Sequence, residues 1–202
     1  MASQTNISGT TEYGAAGWQS DLRTFNGTAA GVIVNSLEQF VQDYSPQQTA
    51  AWREEIPLLQ LEADELWAVR HTATEYGIVL EYKLPYDGRR PDVIVLADGA
   101  VVVLELKGKR SGSLNQADFD QISAYARDLR AYHKECQERE VYPILVPTRE
   151  RDFSEEIDGV FVTSPDRLDE VVGLLADKAQ GTGPDIKQFL GQGSYSPAPS
   201  LV

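Results

Sequence analysis

The chain has 202 residues, of which 42% are hydrophobic and 24% are charged, as is typical of a globular protein with one domain-sized core. Its net charge of −13 argues against nucleic-acid binding through bulk positive charge, because neutralising phosphates requires lysine and arginine. No run reaches the roughly 18 apolar residues of a membrane helix, and the polar N-terminus does not have the pattern of a signal peptide. We therefore expect a cytoplasmic protein that does not contact a membrane.

The first third of the chain is predicted to be a loop followed by helices. Residues 1–31 are rich in glycine, threonine, serine and alanine without periodicity, which predicts an N-terminal loop segment. Residues 32–43 have apolar positions at helical spacing. Ser45 and Pro46 form a typical start for the next helix, which Pro57 is expected to kink or divide.

Strands and helices alternate in the remainder of the chain, which ends in a stretch rich in glycine, proline and serine. Several strands are apolar at consecutive positions, as expected for a sheet that is covered on both faces. The predicted fold class is α/β, with a central mixed β-sheet flanked by helices on both faces. In chain order we predict a strand at 78–86, a hairpin within 89–109, a helix at 118–139, strands at 141–148 and 159–163, a helix at 164–178 and a linker at 179–202.

The hairpin carries its charged residues near one end. Asp98-Gly99 between two β-rich runs predicts a two-residue type I′ turn, and this register sets Asp92 directly opposite Glu105. Because side chains alternate between faces, Lys107 shares the face of Glu105. A bulge at the turn would shift the register by one residue and separate the two acids.

Two carboxylates in this register need a neutralising partner. Directly opposed residues have Cβ atoms about 4.5–5.5 Å apart, so one acid takes up a proton or a cation lies between them. Oxygen ligands of this kind suit Mg²⁺ or Mn²⁺, and Lys107 could orient a water molecule or balance developing charge. The alternative is a set of surface charges at a strand end, with Asp92 paired to Arg89 or Arg90.

The stretch "RPDVIVLADGAVVVLELK" resembles the PD-(D/E)xK nuclease superfamily. The predicted order over residues 46–148 matches the core of that superfamily, so the resemblance implies a restriction-endonuclease-like core. In RecB-like branches the following helix carries Gln-x-x-x-Tyr, which Gln121 and Tyr125 match. The alternative for this pair is ordinary helix surface and core edge.

A narrower resemblance extends over most of the chain. The segments "AWREEIPLLQ", "EYKLP", "LELKGK" and "YSPAPSLV" are similar to the N-terminal nuclease domain of bacterial nuclease–helicase proteins. This resemblance implies a nuclease-like domain at 32–178 and a linker at 179–202 toward an absent C-terminal domain. It also implies a helicase motor as partner, in cis or in trans, and a role in defence against foreign DNA.

The resemblance assigns roles to individual residues. It implies metal binding by Asp92, Glu105 and the backbone carbonyl of Leu106. Lys107 would stabilise the attacking water and the developing negative charge. Gln121 and Tyr125 would orient the lysine or a phosphate oxygen.

Further contributions are expected from the first helix and from basic residues around the hairpin. The superfamily often adds an acid from the first helix, for which Glu55 and Glu62 are the candidates and Glu81, in the first strand, is another possibility. A second set could contact phosphates or be ordinary solvated charges: Arg89, Arg90, Lys109 and Arg110.

The sequence thus predicts a Mg²⁺- or Mn²⁺-dependent nuclease that hydrolyses phosphodiester bonds of nucleic acid, with DNA as the expected substrate. Two alternatives stay open at this point. One is a catalytically silent nuclease fold that docks a partner protein, and the other is a structural α/β domain without a site.

Overall fold

The computed structural model describes residues 16–85 and 88–196, in which seven strands form one mixed sheet with helices on both faces. The strands are β1 Trp18–Asp21, β2 Gly77–Leu80, β3 Val93–Ala97, β4 Ala100–Lys107, β5 Glu140–Pro147, β6 Ser154–Ile157 and β7 Val160–Thr163. The α-helices are α1 Leu22–Gly27, α2 Ala30–Phe40, α3 Pro46–Val69, α4 Gln116–Tyr132, α5 Leu168–Lys178 and α6 Ile186–Phe189. Short 3₁₀ helices lie at His71–Glu75, Ser111–Ser113, Lys134–Cys136 and Pro165–Arg167. The predicted fold class is confirmed.

The strand order is β1-β2-β3-β4-β5-β7-β6. Strands β1 to β4 form an antiparallel meander, β4, β5 and β7 run parallel, and β6 pairs antiparallel with β7. Neighbouring parallel strands need a long crossover connection, and α4 supplies it between β4 and β5. The meander therefore ends at β4, directly beside this crossover helix.

The two faces of the sheet support separate hydrophobic clusters. One face packs against α1, α2, α3 and α5, and the other packs against α4, α6 and the 3₁₀ turn that contains the buried Cys136. The hairpin strands contribute alternate residues to the two clusters, as the period of two requires. Val93, Val95, Val102 and Leu104 belong to the first cluster, whereas Ile94, Leu96, Val101 and Val103 belong to the second.

The prediction of a loop over residues 1–31 is wrong from residue 18 onward. Strand β1 pairs with β2, and α1 begins at a cap in which Asp21 accepts a hydrogen bond of 2.7 Å from the Thr24 backbone. Phe25 of α1 is fully buried. These elements are too short to show a periodic pattern in the sequence, and their stability comes from pairing and burial against the sheet. Residues 1–15 lie outside the described part of the chain.

The prediction of a linker over residues 179–202 is also wrong for the described part of that segment. Phe189 of α6 is fully buried and stacks on the ring of His133 with centroids 4.0 Å apart. The chain also passes so close to the β3–β4 turn that a Cβ atom on Gly99 would lie 2.1 Å from the carbonyl oxygen of Gln180. Residues 179–196 therefore belong to the folded domain, and residues 197–202 lie outside the described part.

Local differences from the predicted elements have local causes. Strand β2 ends at Leu80 because Glu81 adopts a left-handed conformation with φ of 53°. Pro57 is exposed and lies within one continuous helix. The β3–β4 turn is not type I′, since Asp98 has a φ of 48° but Gly99 lies outside the left-handed region.

Within residues 16–85 and 88–196, no helix combines the length and apolar character that crossing a membrane requires.

Candidate active site

The β3–β4 hairpin has the register that the sequence predicts. Val93 pairs with Leu104 and Ala97 pairs with Ala100, so the next pair outward is Asp92 and Glu105. Oδ2 of Asp92 accepts a hydrogen bond of 2.8 Å from the backbone N–H of Leu106. The Asp92 carboxylate is thereby held at the open end of the hairpin, beside the C-terminal end of β4.

Lys107, Glu105 and Gln121 form a closed hydrogen-bonded triangle. Nζ of Lys107 donates to Oε1 of Glu105 at 2.8 Å and to Oε1 of Gln121 at 3.0 Å. Nε2 of Gln121 donates to the same Glu105 oxygen at 2.7 Å. The amide of Gln121 therefore connects the lysine to the glutamate and fixes both relative to α4.

Tyr125 connects this triangle to the chain before β3. Its hydroxyl accepts a hydrogen bond of 3.2 Å from Nε2 of Gln121 and donates one of 3.1 Å to the carbonyl oxygen of Arg90. Burial raises the pKa of Tyr125 to about 12, so the hydroxyl stays protonated and can donate at neutral pH. The predicted Gln-x-x-x-Tyr pair thus lies at the site, one helical turn apart on α4.

The two carboxylate oxygens of Glu105 have very different surroundings. Oε1 accepts from both Lys107 and Gln121, whereas Oε2 is buried and has no hydrogen-bond partner. Burial raises the pKa of Glu105, and the Lys107 ammonium opposes that rise. A buried acceptor without a partner costs about 1–3 kcal/mol, so this oxygen is available to a ligand.

Asp92 places a second carboxylate with a raised pKa at the same end of the sheet. Burial raises its pKa well above the ordinary value, and the charges of Glu105, Glu81 and Glu55 raise it further. In an extended strand the N–H and C=O of one residue point the same way, so the carbonyl of Leu106 faces the Asp92 side as its N–H does. Two carboxylates and a carbonyl at one place are a donor set that fits a hard divalent cation such as Mg²⁺ or Mn²⁺.

Glu55 of α3 is the predicted additional acid that lies near these metal-binding groups. It lines a small cavity with Asp92, Glu81 and Leu106. Burial, followed by the charges of Glu81 and Glu105, raises the pKa of Glu55 to about 7. Glu62, the other predicted candidate, instead lies close to Glu65 of its own helix and Asp169 of α5.

Glu81 occupies the same cavity but has both oxygens engaged. Oε1 accepts a hydrogen bond of 2.9 Å from the Trp52 indole, and Oε2 accepts one of 3.1 Å from Nε of Arg90. Arg90 therefore pairs with Glu81. The surface-charge alternative would have paired Arg90 with Asp92. Glu55 lines the same cavity as Asp92, and no hydrogen bond or ion pair within the described part of the chain engages its carboxylate.

The basic residues predicted to contact phosphate are paired with acids. Besides the Arg90 contact, Arg89 forms an ion pair with Asp128, and its guanidinium lies 5.6 Å from the centroid of the Tyr125 ring. Nζ of Lys109 donates to Oδ2 of Asp118 at 2.6 Å. Arg110 lies on the surface, 4.0 Å from Glu150. A phosphate would have to compete with these internal partners.

Asp118 is a site residue that the sequence analysis missed. Its carboxylate lies 4.0 Å from Nζ of Lys107, contacts Lys109, and accepts a hydrogen bond of 2.9 Å from the Asn115 backbone. Asn115 in turn caps α4, which makes a reciprocal capping box with Asp118. The signal was present as Asn-x-x-Asp before an amphipathic run, but that pattern indicates a helix start and not a lysine contact.

Comparisons with protein-family models, with curated proteins and with solved structures find no significant match to this chain.

Proposed function

We propose that this protein is a metal-dependent nuclease that hydrolyses phosphodiester bonds, with DNA as the substrate to test first. The observation that carries the proposal is the asymmetry of Glu105: Oε1 is held by Lys107 and Gln121, while the buried Oε2 has no partner and lies at the same strand end as Asp92. A structural ion pair would need only the first half of this arrangement.

Four groups would hold the cation. They are the carboxylates of Asp92, Glu105 and Glu55 and the backbone carbonyl of Leu106. When bound, Mg²⁺ or Mn²⁺ polarises the scissile phosphate and lowers the pKa of a coordinated water molecule.

Lys107 supplies positive charge beside these acids. Burial by itself would lower its pKa, but the carboxylates around it, Glu105 first and then Asp92 and Asp118, together raise the pKa above the ordinary value. Lys107 is therefore protonated at neutral pH and can stabilise negative charge that develops on the phosphate. Because it is fixed by two hydrogen bonds, this charge needs little reorganisation when substrate binds.

Gln121 and Tyr125 position the lysine rather than meeting the reacting atoms. The amide of Gln121 holds the Lys107 ammonium, and the Tyr125 hydroxyl holds that amide from the other side. Rotation of the amide would break its contacts with both Lys107 and Glu105. These two residues therefore set the direction from which Lys107 approaches a substrate.

The basic side chains described around the site are paired with acids, which favours a second protein or domain as the surface that binds nucleic acid. Because the chain has a net charge of −13, we propose that a helicase motor, in cis or in trans, supplies the basic surface that holds the nucleic acid. This part of the proposal rests on the resemblance to nuclease–helicase proteins, which also suggests the cytoplasm as location and defence against foreign DNA as role.

The test is cleavage of single- and double-stranded DNA by the full chain with Mg²⁺, Mn²⁺ or a chelator. We expect cleavage with either metal and none with the chelator. Asp92→Asn, Glu105→Gln and Lys107→Ala should each lose activity, whereas the exposed Glu155→Gln on β6 should keep it. Equal activity in all variants would exclude this site as the source of cleavage.

A second candidate is a catalytically silent module that docks a partner protein. The pairing of Arg89, Arg90 and Lys109 with internal acids favours it, since those side chains are already engaged. Calorimetry with Mg²⁺ and Mn²⁺ at millimolar concentration, on the wild type and on the double variant Asp92→Asn with Glu105→Gln, separates the two candidates. A folded wild-type chain that binds no more metal than this variant and does not cleave DNA would support the module.

A further inference from the structure

A second group of acids lies between α3 and α5, apart from the candidate active site. Glu62 and Glu65 are one turn apart on α3, and Asp169 lies in the first turn of α5. One carboxylate oxygen from each of the three residues lies within 4.8 Å of the other two. Three carboxylates brought this close repel one another unless something positive lies among them.

Glu62 shows that this group is not an ordinary solvated cluster. Its side chain is buried, with 6% of the residue exposed, and its Oε2 has no hydrogen-bond partner. It lines a cavity of about 40 Å³ with Asp169, and the other lining residues are apolar. Among the ion pairs of the described residues, none involves Glu62, Glu65 or Asp169.

The start of α5 accounts for only part of this arrangement. The backbone N–H of Asp169 faces the Glu62 carboxylate, and a helix N-terminus favours a nearby negative charge. One N–H can satisfy only one carboxylate oxygen, however, and the same N-terminus already carries Asp169 and Glu170 in its first turn. The unpartnered Oε2 of Glu62 therefore points to a ligand that brings positive charge.

We propose that Glu62, Glu65 and Asp169 bind a divalent cation of the Ca²⁺ class, which links α3 to α5. Ca²⁺ binds oxygens at about 2.3–2.6 Å, so two ligand oxygens of one ion can be up to about 4.6–5.2 Å apart. The upper bound of 4.8 Å on the separations of the three carboxylate oxygens falls within this range. Glu65 is exposed and Asp169 half-buried, which leaves room for the water molecules that complete the coordination.

The ion would connect two helices that cover the same face of the sheet. Both helices contribute to the first hydrophobic cluster, α3 through residues such as Leu66 and α5 through residues such as Val172. A ligand that binds only the folded state stabilises it in proportion to its concentration over its Kd. This role is structural and does not depend on the proposed nuclease activity.

Calorimetry and thermal unfolding with Ca²⁺ test the site in a chain that lacks the candidate active site. The background is the full chain with Asp92→Asn and Glu105→Gln, which removes two of the carboxylates that would hold a divalent ion at the candidate active site. We expect this protein to bind one Ca²⁺ ion and to unfold at a higher temperature when Ca²⁺ is present. Absence of binding in both this protein and the wild type would overturn the proposal.

Variants in the cluster complete the experiment. In the same background Glu62→Gln should abolish the calorimetric signal and the Ca²⁺-dependent rise in Tm. Glu65→Gln, at an exposed position, should weaken binding by roughly tenfold or more, since even outer-shell changes cost 10–100-fold. The exposed Glu138→Gln serves as the control and should bind as the background does. Unchanged affinity in both Glu62→Gln and Glu65→Gln would place the ion elsewhere and overturn the proposal.

Discussion

The two acid clusters of this molecule differ in how a buried glutamate is balanced. Glu105, at the end of the hairpin, shares one oxygen with the ammonium of Lys107 and the amide of Gln121. Glu62, between α3 and α5, lies beside two further acids, Glu65 and Asp169. Each glutamate nevertheless keeps one buried oxygen without a partner.

The comparison shows how a fixed lysine ammonium changes the charge beside a buried glutamate. Beside Glu105 the pKa of Lys107 is raised, so a positive charge is permanently present. Where no amine is present, burial followed by the neighbouring acids raises the pKa of Glu62 to about 7. Lys107 therefore keeps a positive charge beside Glu105 at neutral pH, whereas Glu62 has no such charge beside it and changes its protonation near neutral pH.

The largest expected effect is on the proposed nuclease activity at the hairpin. Lys107→Ala should lower the rate of Mg²⁺-dependent cleavage by roughly 10²–10³-fold, as for loss of a group that stabilises transition-state charge. Rates of DNA cleavage at saturating metal measure this loss. Lys178→Ala on α5 is the control and should cleave at the wild-type rate. A Lys107 variant as active as this control would show that the amine serves only to balance Glu105.

The next effect is a difference in how substitutions in the two clusters change the free energy of unfolding. Lys107→Met keeps the apolar stem but leaves Glu105 without a counter-charge, which should lower the free energy of unfolding by about 2–3 kcal/mol. Glu62→Gln removes a buried charge that has no such partner, so it should be neutral or slightly stabilising in chelator. Urea denaturation of both variants measures the contrast. Equal destabilisation by the two changes would remove the distinction between the clusters.

The third effect is a pH dependence that belongs to Glu62. Its folded pKa of about 7 lies above its ordinary value of 4.5, so its contribution to stability is complete below about pH 4.5 and is lost as the pH rises to about 7. In chelator, the wild type should lose about 1–2 kcal/mol of stability relative to Glu62→Gln over this interval, allowing for partial solvent screening. Parallel pH profiles of the two proteins would contradict this expectation.

The smallest effect concerns the support of the hairpin site. Tyr125→Phe removes the hydroxyl that joins Gln121 to the carbonyl of Arg90, and should cost about 1 kcal/mol of stability. It should leave Ca²⁺ binding between α3 and α5 unchanged, because that cluster packs on the opposite face of the sheet. Denaturation and calorimetry on one preparation measure both quantities. A change in Ca²⁺ affinity would show that the two clusters are coupled.

The hairpin was predictable because its determinants are local. A two-residue connection between Ala97 and Ala100, together with the alternation of side chains, fixes which residues lie opposite each other. The prediction succeeded although the turn type was wrong, since the register depends on the number of turn residues. Gln121 and Tyr125 were predicted differently, from the resemblance to the Gln-x-x-x-Tyr pattern of RecB-like nucleases.

The engagement of the charged residues was not predictable. Glu81 binds the indole of Trp52, and Lys109 binds Asp118. The first contact joins residues that are far apart in the chain, and the second depends on how α4 begins after the loop. No pattern in either segment indicates these pairings, because side chains of this length can reach several partners.

The sequence by itself determined the alternation of strands and helices, the hairpin register and the placing of two acids and a lysine at one strand end. Tertiary structure alone decided that Glu55 approaches Asp92 while Glu62 faces α5, and that the segments around Phe25 and Phe189 belong to the folded domain. The physical reason is that periodicity and turn length act between neighbours along the chain. The rotation of a long helix and the docking of short terminal segments depend instead on surfaces that exist only once the sheet has formed.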